Sequence, residues 1–161
     1  MHTDSAHKSH WAIAEVVFGI PFLLSLVLQF VFPFSLTEGT PRALLSLLGI
    51  VFIGSGIGLI VVGRREFARL GQPTDPGHPT QKLVQTGVFA ISRNPLYLGA
   101  VVVFLGVACL LNTLWAFATL LLSILLCLYV LIIPEEHYLA GKFGEEYKAY
   151  RAAVHRWVGR K

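Results

Sequence analysis

The sequence predicts an all-α integral membrane protein with four transmembrane helices and a cytosolic amphipathic C-terminal helix. Three observations predict this fold: the composition is strongly apolar, uncharged runs are long, and basic residues lie on one side of them. Of the 161 residues, 55% are hydrophobic and only 14% are charged, and the mean hydropathy is +0.66. Soluble domains carry about 25% charged residues, so an ordinary soluble enzyme is excluded. The length indicates one domain, residues 1–161.

Uncharged runs define the spans. About 20 apolar residues cross the hydrocarbon core of a bilayer, and residues 16–37 and 43–63 contain no charge. Residues 94–134 form a third run, long enough for two crossings, and Asn112 and Thr113 mark a turn within it. We therefore predict spans at about 12–34, 42–64, 95–111 and 114–134.

The basic residues predict the orientation. All thirteen Lys and Arg residues except Arg42 lie before the first span, around the 65–94 loop, or in the segment 135–161. Basic residues are retained on the cytosolic side, so both termini and the 65–94 loop are expected in the cytosol. The net charge of +4 is distributed to suit membrane lipid headgroups, and no nucleic-acid partner is expected.

Glycines in the second span predict close helix packing. Gly54 and Gly58 form a small-xxx-small pair, which lets two helix backbones approach each other. The string GSGIG (54–58) is not a nucleotide-binding loop, because no strand precedes it and the fingerprint spacing is absent.

The 65–94 loop should extend the second helix and then pass through a proline-rich segment, 72–81, which excludes regular helix. It ends at Arg93 and Asn94, where Asn94 suits a helix cap and Pro95 suits the first helical turn. A helix start carries a partial positive charge, so together with Arg93 it can hold a carboxylate or phosphate.

The same residues also allow a structural interpretation. Arg93 then anchors the helix at the membrane surface, Asn94 only caps it, and Tyr97 is an interfacial aromatic residue.

The C-terminal segment opens with two adjacent carboxylates, Glu135 and Glu136, and Gly141 and Gly144 then weaken the helix. A new amphipathic helix is predicted from Glu145, with Arg156 in its last turn. One helix face carries residues at spacings of three and four: Phe143, Tyr147, Tyr150, Val154 and Trp157. This helix either lies on the membrane or covers an active site, and both can hold.

The short connection between the third and fourth spans predicts an antiparallel hairpin. It brings Arg93 and the glutamate pair to the same membrane surface. An anion-binding helix start beside two carboxylates suits a zwitterionic ligand with a further positive centre, a description that S-adenosylmethionine fits, though not uniquely.

Two strings carry a resemblance to a known family. GxxxxSRNPxYLG, followed by PEExxLxxxFGEEYxxYxxxVxRW, resembles the isoprenylcysteine carboxyl methyltransferase and phospholipid methyltransferase superfamily over residues 63–157, and most of all its short prokaryotic members. The resemblance implies a multi-pass methyltransferase of a prokaryotic cell membrane that binds S-adenosylmethionine. The implied cofactor-binding residues are Arg93, Asn94, Pro95, Tyr97, Gly99, Glu135, Glu136, Tyr147 and Tyr150, and the implied catalytic residues are Arg93, Asn94 and Glu136.

The resemblance also implies individual roles. Arg93 and the helix start would hold the cofactor carboxylate, and Glu136 or Glu135 its ammonium or ribose hydroxyls. Tyr147 and Tyr150 would border the adenine or the sulfonium, which an aromatic face attracts. The prenylcysteine enzymes typically have histidine at the position of Asn94, and asparagine cannot titrate, which weakens a role as a base and the transfer of the prenylcysteine substrate.

The acceptor is expected to be lipid-like and to enter sideways from the bilayer. The first interpretation is a carboxylate or thiol, as in the prenylcysteine enzymes, and the alternative is a phospholipid amine. Two other classes stay open, a nicotinamide-dependent membrane reductase and a non-enzymatic membrane protein. No metal is expected, because the histidine spacing matches no standard ligand pattern. The oligomeric state is unknown.

Overall fold

A computed structural model describes residues 10–71 and 81–161, the first four of them by their backbone alone. Five helices make up most of these residues: α1 (His10–Val31), α2 (Gly39–Arg69), α3 (Pro95–Leu111), α4 (Leu114–Leu126) and α5 (Ile133–Ala153). A 3-10 turn, Gly87–Ala90, precedes α3, and a π-helical segment, Cys127–Ile132, joins α4 to α5. The proline-rich segment 72–81 lies outside the described residues except for Gln81.

The all-helical prediction is confirmed for the described residues. The third predicted span matches α3, and α2 continues to Arg69 as the predicted extension requires. The helix continues past Pro134, where the fourth predicted span ends, because α4, the π-helical segment and the first part of α5 follow one another without a break as far as Gly144. The wider π-helical turn directly before Pro134 accommodates a residue that lacks an N–H.

Among the described residues, three helices are long and apolar enough to cross a membrane: Ala14–Val31, Gly39–Arg69 and Leu114–Ala153. The helix α3 is also apolar but has 17 residues. The last of the three is broken at Gly144, and its apolar part ends at Pro134. Its charged part therefore lies beyond the apolar one.

The helices α2 and α3 pack backbone to backbone along a glycine seam. A Cβ atom added to Gly49 would lie 2.7 Å from the Gly106 carbonyl oxygen, and one on Gly56 would lie 2.6 Å from that of Gly99. The predicted packing role of Gly54 and Gly58 is therefore wrong, since added Cβ atoms there meet nothing within 4 Å. Two residues correspond to about 200° around a helix, which turns these two glycines away from α3.

The helix α5 breaks where the sequence predicts it. Gly144 has φ 53° and ψ −119°, so a second helical stretch begins at about Glu145. This stretch ends at Ala153, because Val154 is extended and pairs with Arg160 in an antiparallel bridge. The predicted helix face is correct for the cluster of Tyr147, Tyr150 and Val154, against which Phe143 packs.

The predicted place of Trp157 on that face is wrong, because the helix has already ended. Trp157 packs instead against a cluster formed by Val17, Cys127, Leu131 and Ile132.

Candidate active site

Three segments of the chain converge at one end of the helix bundle, which we call the basic end. They are the start of α3 with the residues before it, the start of α5, and a C-terminal turn, residues 154–161. The antiparallel hairpin of α3 and α4 brings Arg93 opposite Glu136, as the short connection between these helices predicts.

Glu136 is the centre of this convergence. Its Oε1 lies 3.2 Å from Arg93 Nη1 and accepts a hydrogen bond of 3.0 Å from Arg156 Nε. Its Oε2 accepts a second hydrogen bond of 2.9 Å from Arg156 Nη2. The exposed fractions of the side chains are 10% for Glu136, 6% for Arg93 and 33% for Arg156. Two guanidinium groups therefore share one largely buried carboxylate.

The surroundings keep this carboxylate ionised. Burial raises the pKa of Glu136, but the hydrogen bond from Arg156 and the charge of Arg93 outweigh it, so that the pKa lies below its ordinary value. The hydrogen bond to Glu136 in turn raises the pKa of Arg156. The centre thus carries one negative and two positive charges at neutral pH.

Arg93 is fixed on three sides. Its Nη1 also donates a hydrogen bond of 3.2 Å to the hydroxyl of Tyr147, and its backbone N–H donates to the His155 carbonyl oxygen at 3.2 Å. Burial raises the pKa of Tyr147, which remains a neutral phenol. The Nε of Arg93 is buried and has no partner within the described residues. Such groups are rare and call for an explanation.

The side chain of Asn94 does not cap α3, contrary to the sequence prediction. Asn94 stands at the cap position, but it makes no capping hydrogen bond, because its Nδ2 donates to the carbonyl oxygen of Arg156 at 3.1 Å. Pro95 occupies the first helical turn as predicted. Asn94 therefore ties the start of α3 to the C-terminal turn.

Glu135 belongs to a second, separate group. It lies about 100° further around the helix than Glu136, and its Oε2 accepts a hydrogen bond of 3.0 Å from the hydroxyl of Tyr97. Tyr97 packs against the cluster that contains Cys127 and Leu131. This carboxylate is paired with a neutral group, whereas Glu136 is paired with two cations.

Two further sequence-predicted site residues, Tyr150 and Gly99, do not reach the charged centre. The hydroxyl of Tyr150 donates a hydrogen bond of 2.7 Å to the Phe89 carbonyl oxygen, and its ring stands edge-on to that of Tyr147. Gly99 lies in the seam with α2, where a Cβ atom would come within 2.8 Å of the Gly56 carbonyl oxygen.

Sequence reasoning missed Arg156 as a member of the centre. Its predicted place in the last turn of a helix is wrong, because α5 ends at Ala153. The turn that carries Arg156 is held by hydrogen bonds from His155 N–H to the Gly159 carbonyl and from Gly159 N–H to the Ile91 carbonyl. The one available signal was that Arg156 belongs to the VxRW string of the family resemblance.

Comparison with known proteins gives one match. A sequence model described as phospholipid methyltransferase matches residues 44–146. The matched segment runs from α2 through both glutamates and ends directly before Tyr147, so Arg156 lies beyond it. No curated protein and no solved structure gives a significant match.

Proposed function

The chain belongs to the phospholipid methyltransferase family, and we propose that it uses S-adenosylmethionine to methylate the amine of a phospholipid. The family implies a membrane methyltransferase, and three helices long enough to cross a bilayer agree with it. The cofactor, the acceptor and the residue roles that follow are parts of the proposal.

The chemistry of the charged centre fits this cofactor, which carries a carboxylate, an ammonium and a sulfonium. Arg93 Nε–H has no partner among the described residues, and a carboxylate would satisfy it. Glu136 accepts two hydrogen bonds from Arg156 and forms an ion pair with Arg93. A carboxylate has about four acceptor sites, so acceptor capacity remains for an ammonium or a ribose hydroxyl. Asn94 holds the arginine-bearing turn against this centre.

Of the remaining sequence-predicted residues, the two tyrosines would border the cofactor site, and the two residues of α3 would support it without contact. Tyr147 and Tyr150 supply aromatic rings for the adenine or the sulfonium. Pro95 and Gly99 set the start and the close packing of α3.

The observation that carries the choice of acceptor is the hydrogen-bonded pair of Glu135 and Tyr97. Burial raises the pKa of the Glu135 carboxyl group, which makes it a stronger proton acceptor. Methylation of an amine needs such a group, whereas methylation of a carboxylate does not. We therefore favour the phospholipid amine over the carboxylate or thiol acceptor of the prenylcysteine enzymes.

The reaction requires one proton acceptor from the protein. Bound S-adenosylmethionine supplies a methyl group, whose bond to sulfur breaks with its electron pair left on sulfur while the amine lone pair forms the new N–C bond. An amine must be neutral to react, and the alkylated amine releases a proton. Glu135 would accept this proton, and the Tyr97 hydroxyl would hold its carboxylate in position.

The proposed topology has four crossings, with the basic end and both termini in the cytosol. The 17 residues of α3 reach the lower limit of a crossing helix, and the glycine seam keeps α3 alongside α2. Residues 1–161 form one domain, and the acceptor enters sideways between helices.

Calorimetry on the detergent-purified protein tests the cofactor. We expect micromolar binding of S-adenosylmethionine, at least tenfold weaker in Glu136→Gln and nearly unchanged in Glu135→Gln. The matched Glu135→Gln variant should instead lose methylation of phosphatidylethanolamine in nanodiscs. Unchanged affinity in both variants would refute the assignment. Folded wild-type protein that binds NADPH instead would indicate a reductase, and binding of neither would indicate a non-enzymatic protein.

A further inference from the structure

The C-terminal turn forms a cleft beside the charged centre. Its walls are His155, Arg156, Trp157 and Val158, and its volume is about 310 Å³. The turn lies beyond the segment that the family model matches, so the family match assigns it no role.

Within this cleft, hydrogen bonds fix both the side chain and the backbone of Arg156. Its hydrogen bonds to Glu136 use Nε and Nη2, and neither uses Nη1. Its carbonyl oxygen accepts from Asn94, so both ends of the residue are fixed. A guanidinium that needs no reorganisation loses little entropy when it binds a further oxygen anion, and planar forks of this kind suit phosphate.

The charge around the cleft favours an anion. Residues 147–161 contain no Asp or Glu. The basic residues of the same stretch are Lys148, Arg151, Arg156, Arg160 and Lys161. Two arginines, Arg93 and Arg156, share the single carboxylate of Glu136, so the groups beside the cleft keep a net positive charge, which attracts an anion.

The cleft also lies at the level of lipid headgroups. Trp157 packs against the cluster of Val17 and Leu131, which belong to apolar helical segments, while the neighbouring Val158 is 64% exposed. Tryptophan with exposed apolar neighbours beside basic residues is typical of the membrane interface. Phosphodiester groups of membrane lipids occupy this level.

We propose that this cleft binds the phosphodiester of the acceptor phospholipid, with Arg156 Nη1 as the principal donor. The inference rests on the proposed function and deepens it. Only two carbons separate the phosphate oxygen and the amine of phosphatidylethanolamine. Glu135, the proposed proton acceptor for the amine, is adjacent in sequence to Glu136, which holds Arg156, and this adjacency suits so short a headgroup.

A ratio of two activities tests the proposal. Each variant is assayed in nanodiscs with phosphatidylethanolamine and with a long-chain primary amine that lacks phosphate. Dividing the two kcat/KM values cancels any damage to cofactor binding. Charge-assisted hydrogen bonds contribute about 1.5–3 kcal/mol, so Arg156→Gln should lower the preference for the phosphodiester acceptor about ten- to hundredfold. Arg160→Gln, which removes an equal charge outside the cleft, should change it less than about twofold.

An unchanged ratio in Arg156→Gln, or an equal fall in Arg160→Gln, would overturn the inference. The second result would indicate general attraction to the membrane. Raising the content of an anionic lipid should leave the wild-type ratio unchanged. Absence of methylation with every amine would refute the proposed function itself and is thereby distinguished from failure of this inference.

A measurement on the wild type covers the case that Arg156→Gln does not fold. Glycerophosphoethanolamine should compete with phosphatidylethanolamine at concentrations where ethanolamine does not, because only the former carries the phosphodiester. Equal competition by inorganic phosphate would indicate an unspecific anion site, and absence of competition by glycerophosphoethanolamine would contradict the proposal.

Discussion

The two ends of the helix bundle differ in whether their polar groups are charged and in whether all of them have hydrogen-bond partners. At the end opposite the basic end, which we call the Asn112 end, Asn112 Oδ1 accepts from the backbone N–H and the hydroxyl of Thr37, at 3.2 and 3.1 Å. Asn112 Nδ2 donates to the Thr37 carbonyl oxygen at 2.7 Å. The hydroxyl of Thr113 donates to Gln29. All of these groups are neutral, and they satisfy one another.

The basic end is charged and incompletely satisfied. Glu136 is shared between two arginines, and Arg93 Nε has no partner among the described residues. At the Asn112 end, a neutral network in which every group has a hydrogen-bond partner is sufficient to hold the connecting loops together. A largely buried charged group with a donor left over is costly unless it is used. This difference in chemistry is the reason for which we propose the basic end as the functional one.

The largest expected effect is at the charged centre. Glu136→Gln leaves Arg93 and Arg156 facing each other without a counter-charge, and breaking such a pair costs about 3–5 kcal/mol when it is buried. Partial exposure of Arg156 places the expected loss of unfolding free energy near the lower limit. Thermal unfolding in detergent measures it. Glu135→Gln is the matched control and should lower the unfolding free energy less, because its partner Tyr97 is neutral. Equal losses of unfolding free energy in the two variants would contradict the assignment of Glu136 as the partner of two cations.

At the Asn112 end, substitution should cost stability without affecting the cofactor. Asn112→Ala removes three hydrogen bonds to the half-buried Thr37, at about 0.5 kcal/mol each, and places alanine at a positive φ of 52°. Asn112→Gly removes the same bonds but tolerates this φ, so it should be about 1 kcal/mol more stable than Asn112→Ala. Calorimetry should give wild-type affinity for S-adenosylmethionine in both. Weakened binding would show that the two ends are coupled.

Composition and short connections were sufficient to predict most of the fold. The bounds of α3, the turn at Asn112, the break at Gly144 and the meeting of Arg93 with Glu136 all follow from local chemistry or from a short loop. The continuation of the helix past Pro134 did not follow, because it depends on a π-helical turn that the residue pattern does not mark.

The sequence does not predict which of several available hydrogen-bond or packing partners a residue contacts. Asn94 could cap its helix or bind elsewhere, and a residue distant in sequence, Arg156, decides the outcome. The second span offers several glycines at small-residue spacings, and only the orientation of α3 selects Gly49 and Gly56. Residues whose partners lie far along the chain are thus the ones that sequence reasoning misplaces.

The glycine seam between α2 and α3 can be tested by a single added methyl group. An alanine Cβ at Gly56 would lie 2.6 Å from a backbone oxygen and 2.8 Å from a backbone nitrogen, neither of which can move alone. We expect Gly56→Ala to lower the unfolding free energy by about 1–3 kcal/mol. Gly54→Ala should leave it unchanged or raise it by up to about 1 kcal/mol, because its Cβ meets nothing within 4 Å and alanine favours a helix more than glycine does. Equal thermal unfolding of the two variants would exclude backbone contact at the seam.

The smallest expected effect is a difference between the two ends in how the unfolding temperature depends on pH. The pKa of Glu136 is lowered in the fold, so its stabilisation is complete above the unfolded value of about 4.3 and is lost as the pH falls through the lower, folded value. The Asn112 network has no titratable group. Unfolding temperatures measured between pH 7 and pH 3 should therefore fall less steeply below pH 4.3 in Glu136→Gln than in the wild type. In Asn112→Ala the unfolding temperature should start lower but fall with pH as steeply as in the wild type, because the charged centre is intact. If the unfolding temperature of Glu136→Gln fell as steeply as that of the wild type, the two arginines would not lower the pKa of Glu136.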